Sequence, residues 1–259
     1  MPTPLDIFLD PISLMALSIF AGLILWEALF PARQLPKVKL WWMRGLAAFG
    51  LNFLAASYLP LFWDTYLVEW QLFDLSRFST LTQFVIGLGA FELTLYAWHR
   101  TMHNSNWLWR SFHQMHHSAE RLDTFGAFWV SPLDMIGFAF QGSIALVLLV
   151  GLNAEATTAV LLVTFFFAVF QHGNFKTPHW LGYIVQRPES HSVHHGKNLH
   201  ANNYCDLPLI DMIFGTFVNP KQHGETGFYH GASNQVVDML LFKDLNQSKN
   251  QPTIAMEAI

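Results

Sequence analysis

The residues most able to do chemistry in this sequence are its histidines. The chain has 259 residues and 13 histidines, and eight of these fall in three short clusters. Neutral imidazole is a good ligand for iron, zinc, copper and nickel, so clustered histidines point to a metal site. The clusters are His99-x-x-x-His103, His113-x-x-His116-His117 and His191-x-x-His194-His195, and His172 stands alone between the second and the third.

The spacing within the clusters matches one face of a helix. Residues three or four apart on an α-helix are neighbours, with Cβ atoms about 5–6 Å apart. Eight or nine histidines are too many for one ion, whereas two metal ions that share a bridging oxygen would use this number at four or five ligands each. The pattern predicts a dinuclear metal site.

Isolated histidines need a different interpretation. A single histidine beside an apolar run is more often a hydrogen-bonded core residue than a ligand, and we interpret His179, His200, His223 and His230 in this way. The repeated His-x-x-His-His spacing is hard to reach by chance, and partly buried polar rings are costly unless they are paired. We therefore keep the metal interpretation for the clusters and His172.

The composition predicts an integral membrane protein. Hydrophobic residues make up 52% of the chain and charged residues only 12%, compared with about 25% charged residues in an average soluble domain. A membrane-spanning helix needs about 20 apolar residues. The sequence has five apolar stretches, at 11–30, 45–63, 81–98, 133–152 and 156–170. The fifth stretch is short enough to be a half-buried helix instead of a span, and the first lacks the features of a signal peptide.

Charge in the loops predicts the orientation. The loop between the first two spans carries Arg33, Lys37, Lys39 and Arg44, whereas the loop at 64–77 is mostly acidic. Positive loops face the cytoplasm. Counting spans onward from this loop places every histidine cluster on the same, cytoplasmic face.

The predicted fold is an all-α membrane helical bundle of four to five spans with a helical, histidine-rich catalytic cap. The single cysteine, Cys205, allows no internal disulfide, which suits a cytoplasmic face. The net charge of −4 does not favour nucleic acid as a partner. We treat the chain as one domain with the following parts: 1–98 with three spans, 99–132 with two histidine boxes, 133–171 as a membrane hairpin, 172–243 with the third histidine region, and 244–259 as a polar tail.

At the histidines, the sequence resembles the fatty acid hydroxylase and sterol desaturase superfamily of integral membrane di-metal oxygenases. The resemblance covers the chain from Glu92 to Phe217, and the first 80 residues match only in being hydrophobic. The matching motifs are Tyr96-Ala-Trp98-His99-Arg100-Thr-Met-His103, Trp109-Arg-Ser-Phe-His113-Gln-Met-His116-His117-Ser118, Gln171-His172-Gly-Asn174, Pro188-Glu-Ser-His191-Ser-Val-His194-His195, and Asn203-Tyr204 followed by Asp211-Met-Ile-Phe214-Gly215-Thr216.

The resemblance implies a centre of two non-haem irons that activates O₂ and hydroxylates or desaturates lipid chains, sterols or related substrates, with both outcomes left open by the sequence. It also implies that the ligands are His99, His103, His113, His116, His117, His172, His191, His194 and His195. Two positions depart from the family pattern: Cys205 stands where many members have glycine, and Lys176 where some hydroxylases have a further histidine. A protonated lysine is no ligand, which favours the nine-histidine pattern.

Several polar residues near the boxes are candidates for supporting the ligands. Glu92 lies seven residues before the first cluster, nearly two helical turns, and therefore on the same face. We expect it either to accept an imidazole N–H or to serve as an ordinary packing carboxylate. Asn174 and Asn203 are expected to orient ligands or waters, and Asp211 with Gly215 to shape a turn.

Substrate and electrons must come from outside the centre. A lipid would enter sideways from the bilayer into an apolar slot, for which the candidate lining is Phe125, Phe128, Trp129 and 165–167, although plain packing is an equal alternative for these aromatic residues. The sequence has no haem-binding segment, flavin or nicotinamide fingerprint, or cysteine set for an iron–sulfur cluster. We therefore expect a separate electron donor, such as a cytochrome, ferredoxin or reductase.

Two other classes of protein would use histidines differently. A membrane zinc hydrolase takes about three protein ligands for its catalytic zinc, fewer than are present, and the sequence has no His-Glu-x-x-His. A metal transporter or storage protein would place ligands inside the spans along a pathway. Zinc after ordinary purification would be compatible with an iron enzyme, so the test that separates the three classes is oxygen-dependent product formation.

Overall fold

The protein is built almost entirely from helices. The computed structural model describes residues 1–197 and 199–246. The α-helices are α1 (Pro4–Leu9), α2 (Pro11–Leu29), α3 (Trp41–Tyr58), α4 (Pro60–Leu67), α5 (Thr80–Asn104), α6 (Asn106–Leu108), α7 (Gln114–His117), α8 (Pro132–Ser143), α9 (Ala154–Phe170), α10 (Pro188–His194), α11 (Pro208–Ile213) and α12 (Val236–Leu240).

Shorter elements join the helices. Two π-helical turns, Trp109–His113 and Ile144–Leu149, continue into or out of α-helices, and single 3₁₀ turns lie at Val68–Trp70, Thr124–Gly126, His179–Tyr183 and Ala232–Asn234. Two short strands, β1 (Phe73–Asp74) and β2 (Val150–Gly151), pair in parallel, with Phe73 opposite Val150.

Polar caps fix where the apolar helices begin. Asp10 caps α2, Ser79 caps α5, Ser131 caps α8 and Asn153 caps α9, each accepting a hydrogen bond from a backbone N–H of the first turn. Such caps satisfy donors that a helix leaves without partners. The membrane helices therefore start at defined residues.

Four stretches are long and apolar enough to cross a membrane: Pro11–Leu29, Trp41–Trp70, Thr80–Asn104 and Pro132–Leu149. The predicted all-α membrane bundle is confirmed. The second stretch begins earlier than predicted, and the third continues beyond its predicted end at Trp98, so the first histidine cluster lies on the spanning helix itself. The fifth apolar helix, α9, has 17 residues and packs against α2 and α5.

Contacts between loops show which helix ends lie together. Glu27, near the end of α2, accepts hydrogen bonds from the backbone of Thr124 and Asn174, and Trp41 at the start of α3 donates to Asp123. The pairing of β1 with β2 lies at the opposite end. The cationic loop between α2 and α3 and the histidines therefore share one end of the bundle, as the charge pattern predicted.

Aromatic side chains form much of the core beneath this end. Phe128 stacks on Phe165 at 5.7 Å between ring centroids, and Trp129 packs on Trp41 at 5.5 Å. Phe125 packs in the same cluster as Trp129. Of the two roles expected for these residues, the structure shows packing, and the two cavities described below have other linings.

Candidate metal centre

The nine predicted ligand histidines come together in two adjacent groups. Within each group, one nitrogen of every imidazole lies within 4.8 Å of the corresponding nitrogen of every other member. All nine rings are buried except that of His103, which is half-buried. The five-histidine group consists of His99, His103, His113, His117 and His194, and the four-histidine group of His116, His172, His191 and His195.

Each repeated box supplies both groups. In the second box, His113 and His117 are four residues apart and join the five-histidine group, while His116 joins the other group. The third box does the reverse, because His191 and His195 join the four-histidine group and His194 crosses to the first. The groups meet where His117 stacks on His195, with ring centroids 4.1 Å apart.

In the five-histidine group, every Nδ1 atom has a hydrogen-bond partner. Four partners are oxygen atoms, which can only accept, so those Nδ1 atoms carry the proton and the Nε2 atoms keep a lone pair. Such partners fix both the tautomer and the ring orientation of a metal ligand. The pairs are His99 with Tyr204 O at 2.9 Å, His103 with His200 O at 2.8 Å, His113 with Asp134 Oδ2 at 2.8 Å, His194 with Asn202 O at 2.7 Å, and His117 with His200 Nδ1 at 3.2 Å.

The free nitrogens of this group are arranged as ligands. The Nε2 atoms of His99 and His113 lie 2.9 Å apart, and since both lack a proton they repel each other unless a cation stands between them. Nitrogen ligands lie about 2.0–2.1 Å from a metal ion such as zinc, which puts neighbouring ligands about 3 Å apart. The Nε2 atoms of His103, His117 and His194 are buried with no hydrogen-bond partner among residues 1–197 and 199–246. The donor set fits a metal ion.

In the four-histidine group the Nε2 atoms also converge, but fewer of the Nδ1 atoms have a hydrogen-bond partner that fixes the tautomer. His172 Nε2 lies 3.0 Å from the Nε2 atoms of both His116 and His191, and His195 Nε2 lies 3.1 Å from that of His191. His172 Nδ1 donates to Ala168 O at 2.6 Å. In contrast, the buried Nδ1 atoms of His191 and His195 have no partner in the described part of the chain.

Burial keeps these imidazoles neutral. It lowers the pKa of the seven of these nine histidines that lie outside the spans, and that of His172 falls to about 4. Charge repulsion between neighbouring rings lowers the pKa further for the other six, which are His113, His116, His117, His191, His194 and His195. Metal ions bind neutral imidazole, so no proton has to leave these rings at neutral pH.

Two supporting residues have no counterpart in the sequence prediction. Asp134 is fully buried in the first turn of α8 and accepts a hydrogen bond from His113 Nδ1–H, 21 residues away in the sequence. His200, interpreted above as a lone structural residue, contacts two members of the five-histidine group. Its Nε2 lies 3.1 Å from Asn246 Oδ1, so it donates there and its Nδ1 accepts from His117. The backbone of His200 has a positive φ of 44°.

The predicted supporting residues act on the backbone instead. Glu92 contacts no imidazole, and its Oε2 accepts the backbone N–H groups of Asp206 and Leu207, both at 3.0 Å. Of the two roles expected for Glu92, these hydrogen bonds correspond to the second, a packing carboxylate: Glu92 holds the loop after α10 against α5. Asn174 donates to Arg33 O at 2.8 Å. Asn203 clamps two segments, donating to Ser190 O and Val218 O.

Asp211 and Gly215 form the predicted turn. Asp211 accepts from the backbone of Tyr204 and Cys205 and from the Thr216 hydroxyl. Gly215 has a φ of +70°, a conformation that favours glycine. This turn holds Tyr204 where its carbonyl meets His99.

Aromatic rings separate the five-histidine group from an open groove along α5. Tyr204 and Phe138 pack on His99, with ring centroids at 5.6 and 6.1 Å. Beyond Tyr204, the ring of Tyr96 packs on it edge-on at 5.8 Å. Tyr96 also lines an open groove of about 480 Å³ with Leu93 and other residues. This groove is one pair of rings away from the histidines.

Comparison with known families agrees with this geometry. The model of the family described as fatty acid hydroxylase matches residues 84–216, which is about half of the chain and includes all nine histidines. The chain belongs to the fatty acid hydroxylase family. No solved structure matches it.

Curated relatives in this family oxidise or convert lipids, according to their names. Human alkylglycerol monooxygenase is 30% identical over 65% of this chain and 37% of its own length. Ornithine lipid hydroxylase OlsE of Rhizobium tropici is 33% identical over 56% of this chain and 44% of its own. The rice very-long-chain aldehyde decarbonylase GL1-1 is 30% identical over 51% and 23%. The matches span less than half the length of each of these relatives.

Proposed function

We propose that this protein is a membrane-bound non-haem di-iron oxygenase that hydroxylates a lipid with O₂ and electrons from a separate donor. The observation that carries the proposal is the convergence of nine buried imidazoles into two adjacent groups whose free nitrogens face one another. A relative named as a monooxygenase and another named as a lipid hydroxylase support hydroxylation over desaturation.

The two groups would hold one iron each. When bound, the two irons supply O₂ activation, for which imidazole ligands leave their positive charge and some coordination positions available. The five-histidine group offers more protein ligands, so the four-histidine group leaves more positions for oxygen and substrate. The chain itself contributes ligand orientation through Asp134, His200 and the carbonyl of Tyr204.

The surrounding side chains control what reaches the centre. Tyr204 and Phe138 cover the five-histidine group and exclude water from that side. The groove beside Tyr96 and Leu93 runs along the second half of α5, and we propose it as the route by which a lipid chain approaches from the bilayer. We assign the reducing electrons to a separate protein because the only cysteine, Cys205, is buried and no cofactor motif is present in the sequence.

The test is metal content combined with the origin of the product oxygen. Protein purified anaerobically in mild detergent should hold close to two irons per chain. Membranes that contain it, supplied with reductant and ¹⁸O₂, should yield a lipid product with one ¹⁸O atom. Fewer than two metal sites, or lipid turnover that proceeds without O₂ on a zinc-loaded protein, would contradict the oxygenase proposal.

We also propose that the histidine end faces the cytoplasm. In a chain with Cys205 replaced by serine, single cysteines at the exposed positions Lys37, Lys197 and Glu225 should all react with a membrane-impermeant thiol reagent from the cytoplasmic side. A cysteine at the exposed position Glu155 should react from the other side. If the cysteines introduced at positions 37 and 197 react from opposite sides of the membrane, this topology is excluded.

A further inference from the structure

A second polar pocket lies at the histidine end of the bundle, outside both histidine groups. Its volume is about 500 Å³, and its walls are the loop between α2 and α3 and the segment 223–230. These walls are tied to the segments that carry the four-histidine group: the Gly224 amide donates to Ser192 Oγ at 2.8 Å, and Asn174 donates to Arg33 O at 2.8 Å. The pocket therefore backs onto that group.

Arg33 brings an unsatisfied guanidinium into this pocket. One of its terminal nitrogens, Nη1, donates to the carbonyl of Gly224. Its Nε and Nη2 atoms are buried and have no hydrogen-bond partner among the residues that the structure describes. Among these residues Arg33 also forms no ion pair, since its acidic neighbour Asp123 is bonded to Arg121 and Trp41.

The two unsatisfied nitrogens lie on the same edge of the guanidinium. The Nε and Nη2 edge presents two parallel N–H groups, the fork that binds two oxygens of a carboxylate or phosphate at once. A buried donor without a partner destabilises the folded state. The edge that Arg33 leaves free is therefore the one suited to an oxyanion.

Other groups around the pocket add donors of the same kind. The buried Nε2 of His223 also has no partner within residues 1–197 and 199–246. Lys197 is exposed at the rim. Two carboxylates belong to the lining: that of Glu120 is engaged by the Ser233 hydroxyl at 2.6 Å, and that of Glu225 is exposed. The unsatisfied groups of the interior are thus nitrogens: those of Arg33 donate, and the neutral His223 ring donates through Nε2 in one of its two tautomers.

We propose that this pocket binds a phosphate group through the Arg33 fork, with His223 and Lys197 as further donors. Arg33 lies four residues after the end of the α2 span at Leu29, close to the membrane surface, so the headgroup of a phospholipid and free phosphate are the two sources of this chemistry. The site is independent of the histidine groups, and its failure would leave the oxygenase proposal untouched.

The experiment measures phosphate binding and lipid retention on the purified full chain. After delipidation in detergent, the midpoint of thermal unfolding is followed against inorganic phosphate, with chloride at matched ionic strength as the reference. Native mass spectrometry before delipidation reports retained phospholipid. We expect saturable stabilisation by phosphate, and at least about tenfold weaker binding in Arg33→Gln, because two charge-assisted hydrogen bonds are lost.

Two further variants make the result specific. Lys37→Gln removes the same charge from the same loop outside the pocket and should bind phosphate like the wild type. Arg33→Lys keeps the charge but loses the fork, so it should bind phosphate more weakly than the wild type. If Arg33→Gln does not fold, Arg33→Lys still tests the role of the guanidinium fork. Retained phospholipid that disappears in the Arg33 variants identifies a headgroup, whereas phosphate binding without retained lipid identifies free phosphate.

The proposal is overturned if phosphate stabilises the wild type no more than chloride does and no phospholipid is retained. It is also overturned if Arg33→Lys and His223→Gln both bind phosphate as tightly as the wild type.

Discussion

The two histidine groups differ in how many of their imidazole rings are fixed by hydrogen bonds at Nδ1. In the five-histidine group every Nδ1 has a partner, and these partners come from α8 and from the chain after α10. In the four-histidine group His172 is anchored to Ala168 O, while the Nδ1 atoms of His191 and His195 have no partner in the part of the chain described. An anchored imidazole is a stronger and better oriented ligand. We infer that the first group binds its metal more tightly.

The largest effect should come from removing a ligand. His194→Ala leaves four histidines in its group, whereas His191→Ala leaves three, so we expect both variants to lose oxidation and His191→Ala to lose more metal. Elemental analysis of protein purified anaerobically measures this. His179→Ala is the matched control, since within the described residues its ring is hydrogen-bonded to Asn219 O alone and belongs to neither group. Two metals retained in both ligand variants would contradict the assignment.

Replacing the carboxylate that hydrogen-bonds a ligand histidine should have the next largest effect. Asp134→Asn keeps the shape of the side chain but weakens its hydrogen bond to His113, and loss of such a partner costs about 10–100-fold in metal affinity. Glu92→Gln is the contrasting variant, because the hydrogen bonds of the Glu92 carboxylate within the described residues come from backbone N–H groups. It should lower the unfolding midpoint and leave metal affinity nearly unchanged, as measured by competition with a chelator. Equal metal loss in both variants would return Glu92 to a ligand-supporting role.

A smaller effect is expected at His200. His200→Phe keeps the backbone carbonyl that accepts from His103 but removes the ring nitrogen that accepts from His117. The metal of the five-histidine group should become about tenfold easier to remove, at the lower limit for such partners. If a chelator still removes the metal of the four-histidine group first, the inferred order of affinities holds. Unchanged release in His200→Phe would mean that His117 needs no anchor.

The mildest prediction concerns pH and the metal-free protein. Burial lowers the pKa of His172 and of His200 from 6.5 to about 4. Between these values the unfolded chain binds protons that the folded chain does not, so stability falls as pH drops from 6.5 towards 4. Thermal unfolding of metal-free protein across this range measures the loss. Metal binding should reduce it, because a ligated nitrogen is not free to take a proton.

How far the sequence predicts this centre depends on the range of each interaction. The histidines that come together were recognisable because helical spacing is local, and His113 with His117 is an ordinary four-residue pair. The division of these histidines between two groups could not be predicted, since His116 and His194 each belong to a different group from the other two histidines of their own box. That division depends on how α7 faces α10, which no local pattern contains.

The supporting residues show the same limit more strongly. Asp134 begins a different helix from the one that carries His113, and nothing in the intervening 20 residues marks the pair. Glu92 does lie near the first cluster along α5, yet its carboxylate turns to the backbone of Asp206 and Leu207. Sharing a helix face restricts where a side chain points, but the partner is chosen by whichever segment packs there. The spans, which depend only on length and apolarity, were predicted well.

Both boxes contribute histidines to both groups, and this arrangement would set the distance between the two metals of the proposed centre. Because neighbours such as His116 and His117 belong to different groups, that distance would depend on successive residues of one short helix, whose rise is about 1.5 Å per residue. Membrane helices tilt and shift when bilayer thickness changes. The metal pair would then travel as a rigid unit, so changes in lipid composition or temperature should alter substrate access long before they alter the spacing of the pair.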